Sequence, residues 1–229
     1  MKRIVLRGLF IGLSVVLTYQ LWLFGHVWWW VNHNPTSSAM MNERLNQMRA
    51  TQANAQLQYQ WVPYNRISDK LKRAVISSED ANFLSHHGFD WEGIQTAAEK
   101  DLKHGKIVAG GSTISQQLAK NLLLSDHRTP WRKLEEVAIT MMLEKTMSKH
   151  RILELYLNVI EWGNGVFGAQ AAANHYFHVS ANHLSDRQAA QLAVMVPNPR
   201  YYDDHRGSRE LQRRTYTIMA RMNQVSAPR

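Results

Sequence analysis

Residues 79–90 hold Glu79, Asp80, Phe83, His86, His87, Gly88 and Asp90 in one short stretch. Carboxylates and imidazoles are the side chains that most often carry a proton in general acid–base catalysis. A polar loop in which Asp90 caps the next helix would use the same residues. Residues 110–121 begin Gly110-Gly111-Ser112-Thr113 and end Lys120-Asn121. Glycines followed by hydroxyls open a helix there. Its free N–H groups and the positive end of its dipole suit an anion. Gln117 and Lys120 are three apart and share one helix face. The structural alternative is a glycine turn followed by an N-cap. The spacing is not that of a Walker phosphate loop. A third cluster, Arg132, Lys133 and Glu136, places two cations and one carboxylate within a single helical turn. A solvated charged face would look the same.

The elements that must position these groups are helical. Ser68 is placed to cap a helix bearing Leu71, Ala74 and Val75 on one face. Asp90 is placed to cap another, with Trp91, Ile94, Ala98 and Leu102. Ser112 is expected to open a third, with Ile114, Leu118 and Leu122. Pro130 precedes a fourth. At about 100° per residue its buried face should be Leu134, Ala138 and Met141, with Arg132, Lys133 and Glu136 opposite. Ile152, Leu153, Tyr156, Val159 and Ile160 make a fifth stripe. Ser185 and Gln188 form a capping box before a sixth helix, which should end before Pro197 and Pro199. Leu211, Thr215, Ile218, Met219 and Met222 mark a last helix. Gly163, Gly165 and Gly168 punctuate a bend with a structural role, since glycine permits positive φ and close approach. No sustained period-two alternation or long repeat appears. The class is all-α.

Hydrophobic residues make up 45% of the 229 and charged residues 20%, which places the chain among folded proteins. It has no cysteine, so disulfides, thiolate metal sites and cysteine nucleophiles are excluded. The formal net charge of +9 calls for an anionic partner. Residues 100–151 alone carry ten Lys or Arg against five Asp or Glu, so most of that charge surrounds the second and third clusters. A diphosphate would suit this field; on charge alone, so would nucleic acid.

Gly8–Val31 is a run of 24 residues without a charged side chain. At about 1.5 Å per residue it can span a hydrocarbon core of about 30 Å. Lys2, Arg3 and Arg7 precede it, Trp28, Trp29 and Trp30 close it, and the next cation is Arg44. This asymmetry predicts a cytoplasmic tail at 1–7, a single-pass anchor at 8–31 and an outer location for the rest. A cleaved leader is the competing reading, but its apolar core would be only about 7–15 residues. Residues 32–60 read as a polar linker, with a short helix or stalk over Met40–Ala55. Residues 61–229 read as the folded domain.

Together the segments resemble the peptidoglycan glycosyltransferase family, the transfer module also found in class A penicillin-binding proteins. The pattern E-D-x-x-F-x-x-H-x-G-x-D is met by Glu79, Asp80, Phe83, His86, Gly88 and Asp90. G-G-S-T-[IL]-[ST]-Q-Q-L-x-K-N is met across 110–121, and R-K-x-x-E by Arg132, Lys133 and Glu136. Residues 152–158 with the three glycines fit a fourth block, and 184–199 a fifth. The likeness spans roughly residues 62–202. No S-x-x-K or K-T-G motif is present, so the likeness is closest to the monofunctional biosynthetic branch.

The resemblance implies a lysozyme-like α fold with a smaller membrane-facing lobe, in which Leu122, Leu123, Leu124 and Trp131 would touch lipid. It implies Glu79 and Glu136 as catalytic residues. It implies Asp80, Phe83, His86, Ser112, Thr113, Gln117, Lys120, Asn121, Arg132 and Lys133 as substrate-binding. The expected substrates are lipid II and the growing lipid-linked glycan, joined by an inverting transfer in the bacterial inner membrane. Glu79 would be the base, and Lys120, Arg132 and Lys133 would neutralise the departing diphosphate. Glu136 would orient those cations, share a divalent cation such as Mg or Mn, or sit by the donor. Cell-wall synthesis or division proteins are expected partners, and nucleic acid is not. A glycan-cleaving enzyme of similar fold would also need a glutamate but no cationic diphosphate site. A membrane-anchored scaffold would have no use for Glu79.

Overall fold

The computed structural model describes residues 2–96, 111–124 and 129–229. Three sequence expectations, Ala98, Leu102 and Gly110, lie outside these residues. The apolar run forms helix α1 (Lys2–Trp30), long and apolar enough to cross a membrane. Its Leu23 and Val27 are fully buried, and Trp30 packs against the core. Arg151 closes its far end, donating to the Trp30 carbonyl at 2.9 and 3.0 Å and to the His33 carbonyl at 2.7 Å. A guanidinium there satisfies carbonyls that lack helical partners and meets the negative end of the dipole.

Helix α2 (Ala39–Thr51) follows, capped by Ser38, and then strand β1 (Gln58–Tyr59). The domain continues with α3 (Asp69–Glu79), α4 (Ile114–Leu123), α5 (Pro130–Thr146) and α6 (Lys149–Val159). Residues 91–96 are also helical, and Asp90 accepts from the Gly93 N–H at 2.9 Å as their cap. Strands β2 (Glu161–Gly163) and β3 (Val166–Phe167) precede α7 (Ala169–Phe177), α8 (Asp186–Met195), α9 (Pro199–Asp204) and α10 (Arg209–Arg221). The Ser68 cap and the Ser185–Gln188 capping box form as expected. The third helix starts one residue late, because Thr113 rather than Ser112 is the cap.

Residues 32–60 depart from the linker expectation. Met40 and Met41 are buried, and Arg44 makes a buried pair with Glu161 at 2.8 and 3.0 Å. β1 pairs in parallel with β3, which pairs antiparallel with β2, giving the order β1-β3-β2. Polar composition marks this segment as hydrophilic. It does not reveal an ionic partner 117 residues away. At Gly168, with φ +82°, a β-carbon would stand 2.7 Å from the Asn158 carbonyl oxygen. Only glycine lets the hairpin return so closely to α6.

α6 is buried along most of its length and forms the centre. α4 packs against it and against α2 and α5, while α3 packs on α8 and α8 on α10. Glu79, the last residue of α3, lies where these two helix groups meet.

α5 corrects the expected helix face. Its buried residues are Glu136, Ile139, Thr140 and Leu143, whereas Leu134 and Met141 are exposed. The periodicity argument assumed water on the outer side. In the fold, α1 runs along α5, with the Tyr19 phenol facing Glu135, and Glu136 and Thr140 turn inward while Lys133 stays exposed. The lobe expectation is likewise divided: Leu122 and Leu124 are core and Leu123 is half-buried, while Trp131 is exposed.

Candidate active site

Glu79 ends α3 at the point where backbone hydrogen bonding gives way to loop. Its Oε2 accepts from Gln117 Nε2 at 3.0 Å and its Oε1 from Ser78 Oγ at 3.3 Å. Gln117 Oε1 accepts in turn from the Tyr156 hydroxyl at 2.7 Å. Three helices, α3, α4 and α6, thus meet through one chain of hydrogen bonds from neutral donors. Burial pushes the Glu79 carboxyl above its ordinary range; the hydrogen bonds from Gln117 and Ser78 oppose this, Asp80 adds to it, and Arg214 opposes it. The result is a carboxylate with raised proton affinity, the property a general base requires.

Asp80 faces the other way and is buried. It accepts from His86 Nε2 at 2.9 and 3.1 Å and from the Ile114 N–H at 3.0 Å. His86 Nδ1 accepts from the Gly88 N–H at 3.2 Å, so its proton sits on Nε2. Thr113 Oγ donates to the Gly88 carbonyl at 2.7 Å, and Gln116 completes the capping box. Gly88, at φ +93°, is pressed against α5, where a β-carbon would stand 2.9 Å from Thr140 Cγ2. These contacts clamp the 79–90 segment onto the start of α4.

The anion expected at the start of α4 is therefore supplied by the protein itself, in the carboxylate of Asp80. Thr113 is 2% exposed and its hydroxyl is spent on the clamp, so it does not face a ligand. Phe83 is fully buried with the Lys149 ammonium 4.6 Å from its ring centre, so it supports the loop from inside. Ser112 is exposed and Lys120 half-buried. Asn121 donates to the Gln117 carbonyl at 2.7 Å.

The third cluster stands at the start of α5, capped by Thr129. Glu136 is buried, and both of its oxygens are engaged, one by Arg132 at 3.1 Å and the other by Lys133. Arg132 Nε is buried without a partner among the described residues. A cavity of about 380 Å³ opens beside it, lined by Tyr19, Leu123, Leu124, Thr129, Trp131, Arg132 and Glu135. Its walls carry the Arg132 guanidinium and the Glu135 carboxylate among apolar and hydroxyl side chains, one of them Tyr19 of helix α1. Among the described residues no group of three or more His, Asp or Glu is placed to hold a metal ion. Glu136, already held by two cations, does not fit as a metal ligand.

A family model described as Transglycosylase matches residues 44–223. The chain belongs to the transglycosylase family. It is 61% identical over 227 residues to a biosynthetic peptidoglycan transglycosylase of Methylobacillus flagellatus, covering 99% of each chain. Proteins of the same description from Laribacter hongkongensis and Chromobacterium violaceum are 60% and 58% identical, each over 228 residues and the full length of both chains. The fold is the mainly helical, lysozyme-like one of this transglycosylase family, with one apolar helix before it. Its activity is glycosyl transfer in peptidoglycan synthesis.

Two residues at the candidate site carry no mark in the sequence. Tyr156 looked like one more member of an apolar stripe. Glu144, which accepts from Ser115 and, at 2.7 Å, from Lys149, ties α4, α5 and α6 together behind the clamp. Ser115 and Glu144 are 29 residues apart, and local spacing carries no trace of their contact.

Proposed function

We propose that this transglycosylase polymerises lipid II into β-1,4 glycan strands with inversion at the donor carbon. The observation that carries the reading is the separation of two unlike carboxylates. Glu79 has neutral hydrogen-bond donors and a raised proton affinity. Glu136 is neutralised by Arg132 and Lys133 beside a cavity flanked by the apolar helix.

In the proposed step the 4-hydroxyl oxygen of the acceptor sugar attacks C1 of the donor. Its proton passes to Glu79, and the bond from C1 to the polyprenyl diphosphate breaks. Attack opposite the leaving group turns an α-linked donor into a β-linked product. Negative charge grows on the departing diphosphate, where Arg132 and Lys133, with Lys120 on α4, would stabilise it. Glu136 orients the two cations rather than touching the reacting atoms. Asp80 and His86 act as the clamp that holds Glu79 in place. No part of this chemistry is transpeptidation.

The same reading sets the topology. Lys2, Arg3 and Arg7 stay on the cytoplasmic side of the inner membrane, and α1 carries the domain to the outer side. The exposed Trp131 and Leu134 then meet lipid instead of water, which gives the outward apolar face of α5 its purpose.

The test is polymerisation of purified lipid II by wild type beside Glu79→Gln, with folding checked by melting. Glycan strands from wild type alone are expected. Shortening of preformed glycan by the wild type would replace this reading with a hydrolase. A folded, membrane-inserted wild type that makes no polymer would replace it with a scaffold.

A further inference from the structure

The Gln117 carboxamide can turn either end toward Glu79, and the two orientations favour opposite protonation states. With the NH₂ inward it donates to a carboxylate. With the oxygen inward it accepts from a protonated carboxyl. In the structure Nε2 faces Glu79, and it also approaches the Ser112 carbonyl at 3.5 Å, a weak contact. The opposite end decides the orientation. Oε1 accepts from the Tyr156 hydroxyl at 2.7 Å, and Tyr156 is fully buried.

Turning the amide over would set Nε2 against the phenol oxygen. The phenol proton would then lose the acceptor it has in the structure, and for a fully buried hydroxyl that loss costs more than losing a hydrogen bond in water. Tyr156 cannot escape by ionising. Burial first, and then the charges of Glu79 and Asp80, hold its pKa well above the ordinary tyrosine value. The charged groups that act on Glu79 are its chain neighbour Asp80, although that carboxylate points away, and Arg214 from α10, while Tyr156 from α6 is a neutral group beside it.

We propose that Tyr156 is a positioning residue that acts through Gln117 to keep Glu79 in the ionised form a base requires. This rests on the reading of Glu79 as the base. Tyr156 touches no substrate in this role. It makes one amide orientation much more stable than the other.

Tyr156→Phe keeps the ring and removes the hydroxyl. Freed to turn over, Gln117 should no longer favour the carboxylate, and the Glu79 pKa should rise by about one unit. The direct measurement is the Glu79 carboxyl titration, read by isotope-edited infrared difference against Glu79→Gln. The second is the pH profile of kcat/KM for lipid II polymerisation. Its acid limb should move up by the same amount, while the rate at high pH stays within about threefold of wild type. An unmoved titration, or a rate lowered equally at every pH, would overturn the proposal and leave Tyr156 as packing. A shifted titration with an unmoved acid limb would uphold the orienting role and sink the reading of Glu79 as base. Gln117→Leu provides the control if Tyr156→Phe folds poorly. It should shift the titration in the same direction, and adding Tyr156→Phe to it should change nothing further. A shift by Tyr156→Phe in that background would also overturn the proposal, because no amide would remain to transmit it.

Discussion

The junction of α3, α4 and α6 and the first turns of α5 each hold a glutamate, in opposite surroundings. At the junction Glu79 receives hydrogen bonds from an amide and a hydroxyl, and burial raises its proton affinity. On α5, Glu136 is enclosed by a guanidinium and an ammonium. Both oxygens of Glu136 are occupied by these cations, so its part is to hold them in place. Glu79, held by neutral donors and raised in proton affinity, is the one suited to accept a proton. The same side chain therefore suits a base in the first place and a cation-orienting brace in the second.

This contrast can be broken by experiment. Glu79→Gln should lower lipid II polymerisation by about 10²–10⁴-fold, the usual range for a lost general base. Glu136→Gln, measured alongside, should fall by only about tenfold, because Arg132 and Lys133 remain in place. Equal losses would erase the distinction between the two carboxylates. Arg132→Ala should reduce kcat/KM for the lipid-linked donor by about 10²-fold, the size expected for one transition-state charge contact. Unchanged donor kinetics would remove the leaving-group role of this cluster.

Smaller effects sharpen the comparison. Asp80→Ala strands the Ile114 N–H and the His86 imidazole, and should cost about 2–3 kcal/mol in urea unfolding. A loss confined to activity would mean that Asp80 touches substrate and is not the clamp. The least effect belongs to Glu79 in folding. Its folded carboxyl binds a proton more tightly than the unfolded one, so its contribution is fully present in acid and is lost as pH rises through the raised value. Glu79→Gln should therefore melt above wild type at neutral pH. That advantage should shrink as pH falls toward the ordinary value of 4.5. A variant that melts lower at neutral pH would contradict the burial argument.

The grouping of the candidate residues is legible in the sequence. Glu79, Asp80 and His86 were marked by residue type and closeness in sequence, and Arg132, Lys133 and Glu136 by their spacing within one helical turn. Roles were harder to read than positions. Thr113 and Phe83 looked like ligand contacts, yet both face inward, because a motif shows which residues accompany one another and not which of them meets solvent. Tyr156 was hidden because a tyrosine in an apolar stripe looks like core, and it is core except for one oxygen. That oxygen matters only through Gln117, which lies 39 residues away.

By itself the sequence determined what depends on neighbours a few residues apart: the helical class, the Ser68 and Ser185 caps, the apolar run of α1, the cationic middle and the family motifs. These follow from a 3.6-residue period and from hydrogen bonds within one turn. Only the tertiary structure decided which side of α5 faces inward, that Arg44 draws residues 32–60 onto the domain, that Asp80 fills the start of α4, and that a buried phenol orients the amide beside Glu79. Each of these is a pairing or a burial between distant segments. Its energy arises from the removal of water when those segments meet, and a local pattern holds no record of that.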